Sequence, residues 1–142
     1  KWNTGGTVEG FYSKGVRAAM DFLADNYGYD RISDNDFNAY IADNGTGHTE
    51  QQAKAAINTQ AWILHFTNPA ECWANVRRSG YPRLKSPAEY GFGQYLTGGK
   101  DIPVRLCYPT LESSYNKPGY DEALKRMGGK DSWNTHVWWD VE

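Results

Sequence analysis

A helical repeat near the start of the chain constrains the fold more than any other feature of the sequence. Apolar side chains recur there at spacings of three and four residues, as the 3.6-residue turn of an α-helix requires. The repeat comprises Val8, Phe11, Tyr12, Gly15, Val16, Ala19, Phe22 and Leu23, and it stops near Asn26-Tyr27-Gly28. We therefore predict an amphipathic helix over residues 8–25, with one apolar face that packs against other helices.

Capping signals predict two more helices directly after the first. Ser33 is a typical N-cap residue and begins a helix over 34–43. Thr49 and Gln52 form a capping box, which begins a helix over 50–66. The stripe of this helix that we expect to face inward consists of Ala53, Ala56, Ile57, Gln60, Ala61 and Leu64. Its alanines allow another helix to approach closely.

A fourth helix, over 69–79, is predicted from the capping pair Asn68-Pro69 at its start and from Gly80 as its C-cap. Residues 81–117 then contain many prolines and glycines, which predict an extended, turn-rich segment. Within the last part of the chain we predict a short strand over 102–106 and a final helix over 119–127. The predicted fold is therefore mainly α, with several short to medium helices joined by long irregular loops.

Charge and motif content exclude several classes of function. The net charge is −2 and no extended basic field is present, so we predict neither nucleic-acid binding nor attraction to anionic membranes. No apolar run is long enough to cross a membrane. The three histidines are scattered, and neither a phosphate-binding loop nor a nucleophile–base signature is present. We therefore predict no catalytic residue, no metal ligand and no cofactor, and we expect the segment not to be an enzyme.

The two cysteines leave two alternatives open. Cys72 and Cys107 lie 35 positions apart, outside the spacings typical of zinc sites. They could form one disulfide or remain two buried thiols. Cys72 lies in a helical pattern beside Trp73, which favours a buried thiol at that position.

Four blocks of sequence occur in an order that resembles a known family. They are Gln60-Ala61-Trp62-Ile63, the run from Glu71-Cys72-Trp73 through Arg77-Arg78-Ser79-Gly80-Tyr81-Pro82, the run Ile102-Pro103-Val104-Arg105-Leu106-Cys107-Tyr108-Pro109, and Trp138-Trp139-Asp140. Together they resemble the C-terminal part of the SusD/RagB family of outer-membrane nutrient-binding lipoproteins. The resemblance covers nearly all of residues 1–142 but only about the last third of a family member. The sequence departs from the family pattern at His65, Cys72, Val104, Cys107 and His136.

The resemblance implies a helical, TPR-containing protein on the surface of a Gram-negative outer membrane. Such a protein is held by a lipid anchor, lies on a SusC-like TonB-dependent transporter and captures glycans or other nutrient oligomers without cleaving them. The chain starts at Lys1 without methionine. We therefore expect the lipid-bearing cysteine and the N-terminal part to lie upstream. We expect the isolated segment to be either marginally stable or a stable remnant left by proteolysis of a longer protein. The alternative function is a structural segment that contacts the transporter or the rest of its own chain without binding ligand.

Two sets of residues are predicted to be structural. Trp73 and Arg77 lie four positions apart on the fourth helix, so the guanidinium can lie along the indole. With Arg78, Gly80, Tyr81 and Pro82, they would form the corner at which the chain leaves this helix. Trp138 and Trp139 are adjacent, so on an extended segment they would point to opposite sides, and at least one should be buried.

The candidate ligand-binding residues are Tyr90, Phe92 and Tyr95. They lie in a glycine-spaced loop, and aromatic rings suit the C–H faces of sugars. Asn75, Gln94 or Lys100 could add hydrogen bonds to the sugar hydroxyls. The alternative is that these rings fold back onto the body of the protein or onto the transporter.

Overall fold

The computed structural model describes residues 4–91 and 102–140, and within these ranges it contains helices and no strand. The α-helices, in chain order, are α1 (Val8–Tyr27), α2 (Asp34–Asn44), α3 (Glu50–Leu64), α4 (Pro69–Ser79), α5 (Glu112–Tyr115) and α6 (Lys117–Arg126). Two short 3₁₀ turns cover His65–Thr67 and Pro87–Tyr90. The prediction of a mainly α fold is confirmed. The chain divides into two compact units, Lys1–Pro82 and Arg83–Glu142.

The helix starts predicted from capping residues are confirmed. The side chain of Ser33 accepts a hydrogen bond from the Asp36 N–H, and Thr49 and Gln52 form a reciprocal capping box. Asn68 caps α4, with Pro69 in its first turn. Gly80 ends α4 in the left-handed region with φ 70°, a conformation that costs glycine little because it has no Cβ.

Several helix boundaries differ from the predicted ones by one or two residues. Helix α1 runs two residues further than predicted, and α3 ends two residues earlier, because the chain tightens there into the 3₁₀ turn His65–Thr67. Helix α6 begins two residues earlier than predicted, at Lys117. Neither α5 nor the turn Pro87–Tyr90 was predicted. Each has four residues, too few to show a periodic pattern.

A small core holds the first unit together. Tyr12 and Val16 of α1 pack with Phe37 of α2, and Met20, Tyr40, Ile41 and Ala56 surround them. The Tyr12 hydroxyl donates to the Asn44 carbonyl at the end of α2, and the Gln60 amide donates to the Tyr40 hydroxyl over 2.6 Å. Burial is the main cause of the raised pKa of Tyr12. Of the apolar side chains in the described ranges, Tyr12, Val16, Ala24 and Phe37 are buried.

A buried ion pair lies in the second unit. Arg105 Nη1 lies 3.0 Å from Asp131 Oδ1, and the two side chains are 7% and 13% exposed. Asp131 also accepts hydrogen bonds from the Tyr108 N–H over 3.1 Å and from the Tyr120 hydroxyl over 3.4 Å. The Arg105 guanidinium carbon lies 4.9 Å from the centre of the Tyr108 ring. One carboxylate thus connects three parts of the unit.

The predicted strand over 102–106 is wrong. The Val104 N–H donates to the Trp133 carbonyl over 2.8 Å, but no strand forms around this bond in residues 102–140. Pro103 has no N–H to offer to a strand ladder. Arg105 directs its side chain into the ion pair. One backbone hydrogen bond and the Arg105 ion pair therefore connect this segment to the rest of its unit, without a strand ladder.

Both cysteines are free thiols, which excludes the disulfide alternative. Cys72 is half-buried, and its Sγ donates to the His65 carbonyl over 2.9 Å. It therefore satisfies a carbonyl at the end of α3. Burial and the nearby Asp131 carboxylate raise the pKa of the half-buried Cys107 thiol.

The prediction for the terminal tryptophans is wrong. Trp138 is 88% exposed and Trp139 is 42% exposed, so neither ring is buried. The segment is a turn and not extended, since the Asp140 N–H donates to the Val137 carbonyl over 2.9 Å. Both tryptophans occupy the central positions of this turn. Asp140 is the buried residue of the segment, 3.2 Å from the His136 imidazole.

Candidate functional site

Tyr90 is the one candidate ligand-binding residue within the described ranges. It ends the 3₁₀ turn Pro87–Tyr90 and is 63% exposed. Gly91 follows in the left-handed region with φ 76°, a conformation that glycine adopts at little cost because it has no Cβ. Lys85 Nζ lies 5.9 Å from the ring centre, at the outer limit of a cation–π contact. The structure thus presents an exposed phenol ring beside a cation. Phe92 and Tyr95 lie outside the described residues, as do Gln94 and Lys100.

Hydrogen bonds hold the turn that carries Tyr90. The Ser86 N–H donates to Glu89 Oε2 over 2.7 Å, and the Glu89 N–H donates to the Ser86 carbonyl over 3.1 Å. Ser86 is buried. Hydrogen bonds from the Ser86 backbone and side chain are the largest causes of the lowered pKa of Glu89, so its carboxylate is charged at neutral pH. These hydrogen bonds therefore fix the backbone of the turn that carries the exposed Tyr90 ring.

Asn75 does not act as the predicted hydrogen-bonding group for a ligand. Its side chain lies within α4 and the residue is only 4% exposed. The amide donates to the Asn58 carbonyl over 3.0 Å and to the Tyr81 carbonyl over 3.4 Å. Because both carbonyl groups belong to the protein backbone, Asn75 connects α3, α4 and the segment that leaves α4.

The corner at the end of α4 contains the predicted structural residues. The Arg77 guanidinium carbon lies 4.4 Å from the centre of the Trp73 ring. The Ser79 hydroxyl donates to the Asn75 carbonyl over 2.7 Å and accepts from the Tyr81 N–H over 3.1 Å. The Tyr81 carbonyl lies 3.1 Å from the same hydroxyl. Arg78 and Gly80 are exposed, whereas Tyr81 and Pro82 are half-buried and joined by a cis peptide bond. Asn75 and Ser79 were not predicted as parts of this corner, although their spacing of one helical turn was a signal.

An apolar groove of about 580 Å³ lies between α1 and α3 in the first unit. The lining is Thr4, Gly6, Val8, Phe11, Tyr12, Gly15, Val16, Ala19, Ile57, Gln60, Ala61 and Leu64. Much of the apolar repeat of α1 and of the α3 stripe thus meets at this groove. Four of the large side chains remain more than a third exposed: Val8, Phe11, Ile57 and Leu64.

Two other kinds of feature are absent from residues 4–91 and 102–140. No group of three or more histidine, cysteine or acidic residues is placed to hold a metal ion. None of the helices there has the length and apolar character needed to cross a membrane.

Comparison with known proteins places the chain in a family. Residues 1–140 match the model of the SusD-like family, described as the Susd and RagB outer membrane lipoproteins, and the chain belongs to that family. The predicted family is therefore confirmed. No curated protein matches the chain significantly.

Solved structures of the same family have the same fold over nearly the whole chain. A SusD-like protein from Bacteroidetes AC2a is 48% identical, with a TM-score of 0.80, over 98% of this chain and 27% of its own. A chitin-binding protein is 37% identical, with a TM-score of 0.76, over 96% of this chain and 29% of its own. A SusD homolog from Bacteroides uniformis is 26% identical, with a TM-score of 0.74, over 99% of this chain and 33% of its own. The chain thus spans about a third or less of the length of these structures.

Proposed function

We propose that residues 1–142 are the C-terminal part of a non-catalytic glycan-binding lipoprotein on the outer membrane. In this proposal an upstream lipid anchor holds the protein at the cell surface, beside a SusC-like TonB-dependent transporter that imports the glycan. Family membership supports the location, and the similarity to a chitin-binding protein supports a glycan as ligand. The exposed ring of Tyr90 is the observation in this chain that carries the proposal.

The physical argument rests on what an exposed ring offers a sugar. A tyrosine ring presents a flat apolar face to sugar C–H groups, while its hydroxyl can bond to a sugar hydroxyl. Lys85 and the charged Glu89 lie next to Tyr90 and can hydrogen-bond to further hydroxyls. Phe92 and Tyr95 follow closely in the sequence and would extend the platform.

Calorimetric titration of the longer protein with soluble chitin oligosaccharides tests the proposal. We expect Tyr90→Ala, Phe92→Ala and Tyr95→Ala each to weaken binding, by about 1–3 kcal/mol for each ring that stacks on the ligand. Tyr90→Ala should not lower the melting temperature, because the exposed Tyr90 ring contributes little to stability. In this proposal the other two rings serve the ligand, so their removal should leave the melting temperature unchanged as well. Cello-oligosaccharides, which share the linkage but lack the N-acetyl groups, test whether binding is specific for chitin.

Tyr29→Ala is the matched control, because Tyr29 is also exposed but lies outside the glycine-spaced loop in the sequence. It should leave both affinity and stability unchanged. Unchanged affinity in all three loop variants would remove this segment from the binding site. Release of shortened oligosaccharides during prolonged incubation would contradict the non-catalytic assignment. Recovery of the protein from membranes without a TonB-dependent transporter would contradict the proposed partnership.

The alternative is a segment that contacts other protein surfaces and binds no glycan itself. The half-exposed apolar residues of α1 and α3 favour this function, because an apolar face of that kind usually meets another protein surface. Under this alternative the longer protein binds the oligosaccharides and all three loop variants bind as well as the unmodified protein.

A further inference from the structure

The end of α2 carries two residues whose chemistry the proposed function does not use. Asn44 is the last residue of the helix and Gly45 follows it, and no other Asn-Gly pair occurs in residues 1–142. The backbone nitrogen of a residue can attack the side-chain amide of an asparagine that precedes it. Glycine hinders this attack least, because it has no Cβ. Asn44 is exposed, so water reaches its amide.

The backbone nitrogen of Gly45 is not occupied by a hydrogen bond. The N–H groups that directly follow α1 and α4, at Gly28 and Gly80, donate to helix carbonyls over 3.1 and 2.8 Å. Among the contacts of the described residues, the Gly45 N–H has no such acceptor. A pocket of about 320 Å³ is lined in part by Asn44 and Gly45, so the pair has room to change shape.

Packing and hydrogen bonding explain why these two residue types occur together. A Cβ atom at position 45 would lie 2.8 Å from the Ile41 carbonyl oxygen, so the helix end leaves no space for a side chain there. The Asn44 amide donates to the Tyr40 carbonyl over 3.1 Å and thereby satisfies one of the last carbonyls of α2. Each residue has a structural role, and a reactive pair is the consequence.

We propose that Asn44-Gly45 is a site of spontaneous deamidation and that the Tyr12 hydroxyl restrains the reaction. Ring closure brings the Gly45 nitrogen within bonding distance of Asn44 Cγ, which requires the end of α2 to open locally. The Tyr12 hydroxyl donates to the Asn44 carbonyl and so holds the peptide group that must move. Tyr12 belongs to the core of the first unit, so a tertiary contact controls the opening.

The reaction consumes water and releases ammonia. The Gly45 nitrogen forms a bond to Asn44 Cγ, the bond from Cγ to Nδ2 breaks, and the amide leaves as ammonia with the proton of the Gly45 N–H. Water then opens the cyclic succinimide at one of its two carbonyls. One opening gives aspartate at position 44. The other gives isoaspartate, in which the main chain runs through Cβ and Cγ.

Either product weakens the contact between α1 and α2. A carboxylate has no hydrogen to donate to the Tyr40 carbonyl. It also adds a negative charge at the C-terminal end of α2, where the helix dipole disfavours one. Isoaspartate in addition lengthens the main chain and displaces the carbonyl that accepts from Tyr12.

Peptide mapping of the full-length protein tests the proposal. The folded protein is incubated in mildly alkaline buffer, which favours loss of the Gly45 N–H proton, and is then digested with trypsin at mildly acidic pH. Cleavage after Arg31 and Lys54 releases residues 32–54 as one peptide, in which the exposed Asn35 and Asn38 are internal controls. Tandem mass spectrometry locates the gain in mass, and electron-transfer fragmentation distinguishes isoaspartate from aspartate. Deamidation at Asn44 should exceed that at either control several-fold.

Three variants separate the site from its restraint. Asn44→Gln should abolish the product at this position, because the larger ring closes far more slowly. Tyr12→Phe keeps the ring and removes the hydroxyl, so it should accelerate deamidation several-fold. Val16→Ala loosens the same core but leaves the hydroxyl in place, so it should change the rate less.

Two results would overturn the proposal. Deamidation at Asn44 no faster than at the two control asparagines would exclude the site. An equal rate in Tyr12→Phe and the unmodified protein would exclude the restraint. If Tyr12→Phe does not fold, the unmodified protein in urea replaces it: its rate should rise several-fold on unfolding, and an unchanged rate would exclude the restraint. None of these measurements involves a glycan, so failed glycan binding would leave this inference standing.

Discussion

Replacing Asp131 by alanine should destabilise the second unit more than any surface substitution. The change removes the ion pair with Arg105, whose side chain is 7% exposed, and the acceptor of the Tyr108 N–H and the Tyr120 hydroxyl. The guanidinium of Arg105 then remains almost buried without its carboxylate. The buried charge without its carboxylate is the most costly consequence, because the guanidinium has lost its water and no anion then compensates for that loss.

The expected cost follows from this geometry. Removing one partner of a buried ion pair costs about 3–5 kcal/mol. Asp131 is 13% exposed, so water reaches it in part, and the lower end, about 3 kcal/mol, is the appropriate figure. This corresponds to a change of about 100-fold in the unfolding equilibrium, since each factor of ten is about 1.4 kcal/mol.

Urea denaturation followed by circular dichroism measures this cost, with Asp121→Ala as the matched control. Asp121 forms a pair with Lys117 at 2.8 Å in the same unit, but these side chains are 53% and 68% exposed. Such a surface pair contributes about 0.3–0.5 kcal/mol, which salt screens further. The cost of Asp131→Ala should persist at high salt, whereas that of Asp121→Ala should disappear.

A double-mutant cycle decides whether the ion pair causes the loss. Arg105→Met removes the buried charge while keeping an apolar side chain of similar length. If the pair is the cause, Arg105→Met/Asp131→Ala costs clearly less than the sum of the two single changes. Strict additivity, or a cost for Asp131→Ala no larger than that for Asp121→Ala, would refute the reasoning.

Three further predictions concern single sites. Asn75→Ala should cost about 1–3 kcal/mol in urea denaturation, because two backbone carbonyls lose a buried donor, while the exposed Asn38→Ala should not destabilise. Cys107 should require a higher pH than a free thiol for equal alkylation by iodoacetamide, because burial raises its pKa. Since its folded pKa lies above the unfolded value, the associated stability is present below the unfolded pKa and is lost as pH rises through the folded pKa. Trp138→Ala should change the free energy of unfolding of residues 1–142 by less than about 0.5 kcal/mol, because the ring is exposed; a larger loss would show that the ring packs.

Local capping chemistry explains why the helices could be predicted from the sequence. The capping box at Thr49 and the Asn68-Pro69 pair act within one turn, so the sequence near each helix end contains the cause of that end. Helix α5 has no side-chain hydrogen bond at its cap and only four residues, so no local signal marked it. The predicted strand over 102–106 failed for a different reason. The ion pair of Arg105 is formed with a residue 26 positions further along the chain, which no local pattern reveals.

The sequence predicts which types of residue form the candidate site, but not the contacts that position them. A glycine-spaced loop with aromatic residues is visible in the sequence, and Tyr90 is exposed within it. The contacts that support the turn, such as the hydrogen bond from the Ser86 N–H to Glu89, are seen only in the structure, because amino-acid composition does not reveal them. Asn75 is a residue whose role the structure changes from the one predicted. An asparagine can donate to a ligand or to the backbone, and only its burial in the structure assigns it to the backbone.

The apolar repeat of α1 shows what periodicity leaves undetermined. The pattern correctly identified one continuous apolar face, and Tyr12 and Val16 from that face are in the core. Phe11 belongs to the same repeat but remains half-exposed beside Gly15. A period of 3.6 residues depends only on the helix that carries it, so it identifies the face that requires a partner and not the partner itself. Full burial of a large apolar ring gains on the order of 2 kcal/mol, and Phe11, at 51% exposed, has gained only part of it.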